Sequence, residues 1–180
     1  ALPAMDEAAR ARMFEAWGAS HGAPLPGVLS SRGWCPSPER GAPWLLVFDG
    51  RKGVLLSEQV SANRPLAPAR ARRALEGVAG ILAEAHDRGR FHGYLWPGGV
   101  GLHDDDVWLR DVGLDRALTG LGLPWPATPG SFPAEEPWAF AAPEVLLGGG
   151  DARSDVWSFG LLAYSLRSGA RYWRRERDSA

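Results

Sequence analysis

The chain has 180 residues, of which 45% are hydrophobic and 23% charged, and its formal net charge is −1 at pH 7. This balance suits one globular domain, and the total charge gives no reason to expect nucleic acid or an anionic membrane surface as a partner. No stretch of the sequence is long and apolar enough to cross a bilayer. The single cysteine, Cys35, excludes an intrachain disulfide and suits a reducing, cytoplasmic compartment.

The first third of the chain predicts two helices, one of them short, and one buried strand. Met5 to Trp17 contains neither Gly nor Pro and predicts a helix, which Gly18 to Pro26 should end. The prolines of Arg32 to Pro43 indicate a loop. Trp44 to Phe48 is a continuous apolar run, typical of a buried strand, and a small helix is expected near Leu56 to Val60.

The middle of the chain contains the clearest helical pattern. In Pro68 to Asp87 apolar residues recur at helical spacing, Pro68 fits the first turn, and Gly89 fits the stop. Three short strands are predicted after it, at Arg90 to His92, Val100 to Leu102 and Val107 to Leu109. Asp104 to Asp106 lies between the last two, where a polar hairpin turn is favoured over a cation site.

The last third begins with a proline-rich loop, Thr119 to Pro137. Asp155 to Arg167 is apolar almost all round and predicts a buried helix. Arg171 to Ala180 is a charged end. Within it, Arg171 to Arg177 with Trp173 mixes basic and aromatic residues, and a solvated chain end is favoured there over a nucleic-acid surface. The chain begins with neither an initiator Met nor a signal-peptide pattern, so we expect a piece of a longer protein.

Five segments, in order, resemble motifs of the eukaryotic-type protein kinase domain. His92-Gly93-Tyr94-Leu95-Trp96-Pro97-Gly98-Gly99-Val100 is similar to the catalytic loop, whose family pattern is H-R/G-D-L-K-P-x-N-I. Ala85 to Gly89 resembles the end of the helix before that loop, and Asp111 to Gly113 resembles the D-F-G magnesium motif. Ala142 to Glu144 resembles the A-P-E motif, and Ser154 to Gly160 resembles the helix that follows it.

The resemblance implies an α+β, protein-kinase-like fold in a single domain, residues 1–180. Trp44 to Gly53 resembles the last N-lobe strand and the hinge. Residues 1–50 would then be a partial N-lobe, one helix plus the last strands, and residues 51–180 the first half of the helical C-lobe. The family's Gly-rich loop and lysine strand have no counterpart in this sequence, so the resemblance covers only part of a kinase.

The same resemblance implies that the catalytic positions are degenerate. The loop aspartate that orients the substrate hydroxyl maps to Tyr94, the loop lysine to Trp96, and the magnesium-binding asparagine to Gly99. A phenol is neutral at pH 7, an indole has no charge, and glycine has no side chain. The two aromatic rings are expected to lie exposed on the surface, and the alternative is that they plug the groove.

Asp111 and Gly113 are the residues that the family would use toward magnesium and nucleotide. Asp111 alone is interpreted as a turn residue in preference to a metal ligand, since one carboxylate without its partners holds Mg²⁺ poorly. His92 is interpreted as a structural part of the loop in preference to a catalytic base. The resemblance also gives architectural roles to Asp155, which would hydrogen-bond the loop backbone, and to Glu144, whose family partner is an arginine beyond this sequence.

The sequence therefore predicts a pseudokinase that acts as a scaffold or regulator and binds another protein or another domain of its parent chain, with no cofactor. The alternative is a divergent Ser/Thr-type kinase that still uses ATP and Mg²⁺. H-G-x-L-x-P-G also resembles aminoglycoside- and choline-type phosphotransferases, although Ser154 to Gly160 favours the protein-kinase branch. A fragment without independent function is a further alternative.

Overall fold

The structure is a computed structural model. It describes residues 6–21, 24–35, 45–60, 64–110, 112–114, 137–170 and 172. The described part of the chain is α+β, as predicted, with two small antiparallel sheets packed with helices. Most of the predicted loop Thr119 to Pro137 and nearly all of the charged end lie outside these residues.

The first helix, α1, spans Glu7–His21 and runs a turn beyond the predicted end at Trp17. The prediction that Gly18 stops this helix is therefore wrong. Met13 and Trp17 lie one turn apart on α1 and are 0% and 1% exposed. Their packing outweighs the helix penalty of one glycine, which is roughly 1 kcal/mol.

Two strands, β1 (Ser31–Cys35) and β2 (Leu45–Phe48), form an antiparallel pair. Strand β2 confirms the predicted strand, but the prediction that it is buried is wrong at Val47, which is 39% exposed. Strand β1 corrects the predicted loop at Arg32 to Pro43, whose remaining residues lie outside the described part. The prolines of that segment begin only at Pro36, so every β1 residue keeps an amide that can pair with β2.

A three-stranded antiparallel sheet contains β3 (Val54–Leu55), β4 (Val100–His103) and β5 (Asp106–Leu109), in that order. The predicted strands at Val100 and Val107 are confirmed, and a turn at Asp104 joins them. Asp104 has φ 50°, which asparagine and aspartate tolerate better than most residues. Among the described residues, no group of three or more His, Cys, Asp or Glu side chains could hold a metal ion.

One glycine of this sheet lies under a tryptophan. Gly101 pairs with Trp108 across β4 and β5, and a Cβ atom on Gly101 would lie 1.9 Å from the Trp108 ring. Trp108 is 6% exposed, and its indole N–H donates to the carbonyl of Lys52 at 3.3 Å. The indole therefore takes the volume that a side chain at position 101 would need.

A short helix, α2 (Leu56–Gln59), follows β3 as predicted, and the long helix α3 spans the predicted residues Pro68–Asp87. The inner face of α3 is lined by residues at helical spacing: Ala71, Ala74, Val78, Leu82 and Ala85. The helix approaches β5 closely at Gly77, where an added Cβ would lie 2.6 Å from Val107. The strand predicted at Arg90 to His92 is wrong, because those residues form no ladder.

Helix α4 (Pro143–Leu146) precedes the second long helix, α5 (Ala152–Ser168). One side of α5 joins the core beside α3 through Leu162 and Leu166, both 0% exposed. The prediction that this helix is buried all round is wrong. A second side, with Val156, Trp157 and Tyr164, is exposed. None of the described helices is both long and apolar enough to span a bilayer.

Candidate functional site

The candidate site is the loop that follows α3, residues 92–99, together with the elements that hold it. Its backbone is fixed by Asp155, which lies in the first turn of α5 and is 0% exposed. The two carboxylate oxygens of Asp155 accept hydrogen bonds from His92 N at 2.7 Å and from Gly93 N at 2.8 Å. These are the loop-backbone hydrogen bonds that the resemblance implies.

A third group also contacts this carboxylate. His86 Nε2, near the end of α3, lies 2.8 Å from Asp155 Oδ2, so the Nε2–H tautomer donates to it. His86 was not predicted to be part of the site. No local signal could have found it, because the two residues are 69 positions apart. Through these contacts, Asp155 in α5 is linked both to the end of α3 and to the loop at residues 92–99.

The start of α5 is built by a capping box. Asp151 accepts a hydrogen bond from Arg153 N at 2.7 Å, and Ser154 Oγ accepts one from Asp151 N at 3.2 Å. The Arg153 guanidinium also hydrogen-bonds the Asp151 side chain and lowers the pKa of that carboxyl. This cap fixes the first turn of the helix, and with it the position of Asp155.

Glu144, for which the resemblance implied a partner beyond this sequence, has a partner within it. Ser154 Oγ donates to Glu144 Oε1 at 2.6 Å, and so ties the A-P-E motif to the start of α5. Ser158 adds a second tie between these regions by donating to the carbonyl of Phe140 at 2.8 Å. The helix begins at Ala152, three residues before the predicted start at Asp155, and neither this cap nor the pairing of Ser154 with Glu144 was predicted.

The D-F-G-like segment lies directly beside the loop. Gly113 N donates to the carbonyl of His92 at 3.3 Å, and Arg110 N donates to the carbonyl of Gly99 at 3.0 Å. Gly113 has φ +73°, which suits glycine. Asp111, the candidate metal ligand, lies outside the described residues. His92 is 0% exposed and holds this junction through its backbone, in agreement with its interpretation as a structural residue.

Helix α1 is attached to the same segment. The Trp17 indole N–H donates to the carbonyl of Val112 at 2.9 Å, and both residues are buried. The Trp17 ring also makes edge-on contacts with Phe14 and Phe48. This role of Trp17 was not predictable from the sequence, because the hydrogen bond joins residues 95 positions apart.

The two loop aromatics pack inward. Tyr94 is 5% exposed and lies in a small apolar cluster with Ala141, Ala142 and Val145, against which Trp96 packs half-buried. The expected surface position is therefore wrong for Tyr94, and Trp96 is half-buried. No carboxylate, ammonium or amide side chain stands at positions 94, 96 and 99.

Trp96 is folded back over the glycines that follow it. A Cβ atom on Gly98 would lie 2.2 Å from the far edge of the Trp96 ring, and one on Gly99 would lie 3.5 Å from Trp96 Cδ1. Gly99 N also donates to the Trp96 carbonyl at 2.9 Å. The indole therefore rests on a surface that only a glycine at position 98 provides.

Gly98→Ala is expected to push the Trp96 ring off this surface. The collision involves the tip of a half-buried side chain that can swing outward, so we expect a loss of about 1–2 kcal/mol of unfolding free energy and a redder tryptophan emission. Gly160→Ala is the control, because a Cβ there meets nothing within 4 Å and alanine favours a helix. Unchanged emission in Gly98→Ala would contradict the packing of Trp96.

Comparison with known proteins agrees with this architecture. The chain is 35% identical over 126 residues to the serine/threonine-protein kinase PknL of Mycobacterium tuberculosis, a match that covers 69% of this chain and 30% of PknL. It is 25% identical over 129 residues to PrkC of Bacillus subtilis, covering 70% of this chain and 19% of PrkC. The chain thus spans less than a third of these relatives. No family model matches it.

Solved kinase structures share the fold. The M. tuberculosis PknI kinase domain superposes with a TM-score of 0.63 at 23% identity, over 95% of this chain and 60% of that one. Rad53 in complex with AMP-PNP gives a TM-score of 0.64 at 19% identity, over 91% of this chain and 39% of that one. With its kinase relatives and its kinase fold, this chain belongs to the eukaryotic-type protein kinase superfamily.

Proposed function

We propose that this chain is a pseudokinase domain, which transfers no phosphoryl group and acts as a scaffold or regulator. The observation that carries the proposal is the loop at residues 92–99, where aromatic residues and a glycine replace the family's catalytic residues. The family positions for the catalytic aspartate, lysine and asparagine hold Tyr94, Trp96 and Gly99, and the two aromatic side chains pack into the protein.

The chemistry of phosphoryl transfer supports this proposal. Kinases act mainly by positioning the nucleophile and by neutralising the charge that develops on the phosphoryl group. A protonated phenol supplies no carboxylate to the hydroxyl nucleophile, and an indole N–H supplies no full positive charge. At position 99 there is no side-chain oxygen for Mg²⁺. Asp111 and Gly113 would have to hold metal and nucleotide without these partners, so we propose that the domain uses neither ATP nor Mg²⁺.

The hydrogen bonds that hold the loop in place, by contrast, have a structural role that does not depend on phosphoryl transfer. The hydrogen bonds of Asp155 and Glu144 fix backbone and helix positions. A kinase fold kept in this way still presents binding surfaces. The exposed side of α5, with Val156, Trp157 and Tyr164, is of the kind that other proteins or domains cover.

We propose as partner another protein or another domain of the parent chain. Nucleic acid and membrane insertion are not part of the proposal, since the net charge is −1 and the sequence lacks a long apolar segment. A cytoplasmic location is proposed on the single cysteine.

The nucleotide test is direct. We expect no change in the melting temperature of this chain on addition of millimolar ATP and MgCl₂. A ligand at a hundredfold excess over its Kd would stabilise the folded state by about 2.7 kcal/mol, which a thermal melt detects readily. We also expect no transfer of labelled γ-phosphate to the chain itself or to a generic basic protein substrate.

An active Ser/Thr kinase domain run in parallel sets the detection limit for both assays. The divergent-kinase alternative expects a saturable, magnesium-dependent thermal shift together with labelled product. That pair of results would overturn the proposed function. Addition of ATP without metal separates magnesium-dependent nucleotide binding from nonspecific effects of the anion.

A further inference from the structure

Segment 140–147 contains the A-P-E motif and helix α4, and it is attached to helix α5 on one side. Ser158 Oγ donates to the Phe140 carbonyl at 2.8 Å, and Ser154 Oγ donates to Glu144 Oε1 at 2.6 Å. Both serines lie in the first half of α5. The two hydrogen bonds therefore fix the start and the middle of segment 140–147 on that helix.

On its other side, the same segment is attached to the loop at residues 92–99 by an apolar contact. The Tyr94 side chain lies in one cluster with Ala141, Ala142 and Val145, and all four residues are buried. A buried aromatic side chain contributes a large apolar contact area. The residue at the family's catalytic-aspartate position thus joins the loop to segment 140–147 by packing.

The loop and helix α5 are also joined to each other. Asp155 of α5 accepts hydrogen bonds from His92 N at 2.7 Å and from Gly93 N at 2.8 Å. The loop, α5 and segment 140–147 therefore form a closed set of three elements, in which each is attached to the other two. In such a set, the loss of one contact gives two elements freedom to move and so weakens the remaining contacts.

We propose that Tyr94 couples the loop at residues 92–99 to segment 140–147, so that these two parts of the domain open and close together. Segment 140–147 ends in two exposed side chains, Leu146 and Leu147, which are 47% and 88% accessible. A molecule that shifts the segment from this surface also shifts the loop, because the Tyr94 ring packs between them. The coupling is independent of phosphoryl transfer, since it requires only the buried ring.

Amide hydrogen exchange measured by mass spectrometry tests the coupling. Tyr94→Ala should speed exchange at the hydrogen-bonded amides of segment 140–147, such as Val145 N and Leu147 N, by at least about tenfold. Tyr94→Phe keeps the ring and should change the same exchange by less than about threefold. Tyr94→Asp restores the family's residue and should behave as Tyr94→Ala does, because a carboxylate is unfavourable in an apolar cluster.

The reciprocal variant changes the other side of the contact. Val145→Ala removes two methyl groups from the cluster and should speed exchange at the His92 and Gly93 amides by about three- to tenfold. Val156→Ala is its matched control, because Val156 is 66% exposed on α5, and it should leave the exchange of both segments unchanged.

Combining the two substitutions tests whether they act on one contact. In Tyr94→Ala/Val145→Ala, exchange in segment 140–147 should be at most about twice as fast as in Tyr94→Ala, since both changes remove the same packing. Val145→Ala is the milder change, and it keeps the test readable if Tyr94→Ala does not fold.

Three results would overturn the proposal. The first is unchanged exchange in segment 140–147 of Tyr94→Ala. The second is an equal increase in that segment and in helix α3, which would show a general loss of stability in place of coupled opening. The third is unchanged exchange at the His92 and Gly93 amides of Val145→Ala. All three are measured without nucleotide, so they are separate from the test of the proposed function.

Discussion

Replacing Asp155 with alanine is expected to lower the free energy of unfolding by about 2–5 kcal/mol. The buried carboxylate accepts hydrogen bonds from His92 N and Gly93 N and contacts His86 Nε2. Alanine would leave two loop amides without their acceptor in a place that water reaches poorly. Urea denaturation followed by circular dichroism measures the loss. Helix signal should persist in the native baseline, since the substitution lies in a good helical context.

Asp105→Ala is the matched control. Its carboxylate is 74% exposed and pairs with Arg73 at 3.1 Å, so its loss should cost under about 0.5 kcal/mol. Asp104 is a poorer control, because its φ of 50° makes alanine unfavourable there for a backbone reason. Equal losses for Asp155→Ala and Asp105→Ala would contradict the architectural role of Asp155.

Trp17→Ala is expected to cost about 3–5 kcal/mol. The side chain is 1% exposed, packs edge-on against Phe14 and Phe48, and donates its indole N–H to the Val112 carbonyl. The substitution removes a large apolar volume and the hydrogen bond together. Chemical denaturation gives the stability loss, and amide exchange should show α1 opening more often than in the unmodified chain.

Two further substitutions separate the contributions. Trp17→Phe keeps an aromatic ring and loses the donor, so we expect a smaller loss of about 1–2 kcal/mol. Trp157→Ala removes the same kind of side chain from the exposed side of α5, where it is 43% accessible, and should cost under about 1 kcal/mol. A loss at Trp157 as large as that at Trp17 would contradict the buried anchor at α1.

The parts of the fold that sequence predicted best are those set by local pattern. The bounds of α3 were predictable because apolar spacing, an initial proline and a terminal glycine all agree. The family motifs likewise indicated which residues form the loop and that Asp155 supports it. The short strand β1 was harder to predict. Pairing of β1 depends on a partner from another part of the chain, and no residue within β1 indicates that partner.

The contacts that sequence missed are those made over long separations. His86 with Asp155 and Trp17 with Val112 join elements 69 and 95 positions apart. An apolar residue such as Trp157 gives the same signal whether its side of the helix is covered or exposed, so the pattern overestimated the burial of α5. Periodicity identifies an apolar surface, but the element that covers it depends on the tertiary fold.

The packing of Gly101 under Trp108 limits how these two positions can change over time. A larger residue at position 101 meets the indole, and a smaller residue at position 108 leaves a cavity above the glycine. Either change alone is unfavourable, whereas a compensating pair restores the filled volume. Substitutions at positions 101 and 108 are therefore coupled, and a change at one is tolerated only together with a compensating change at the other.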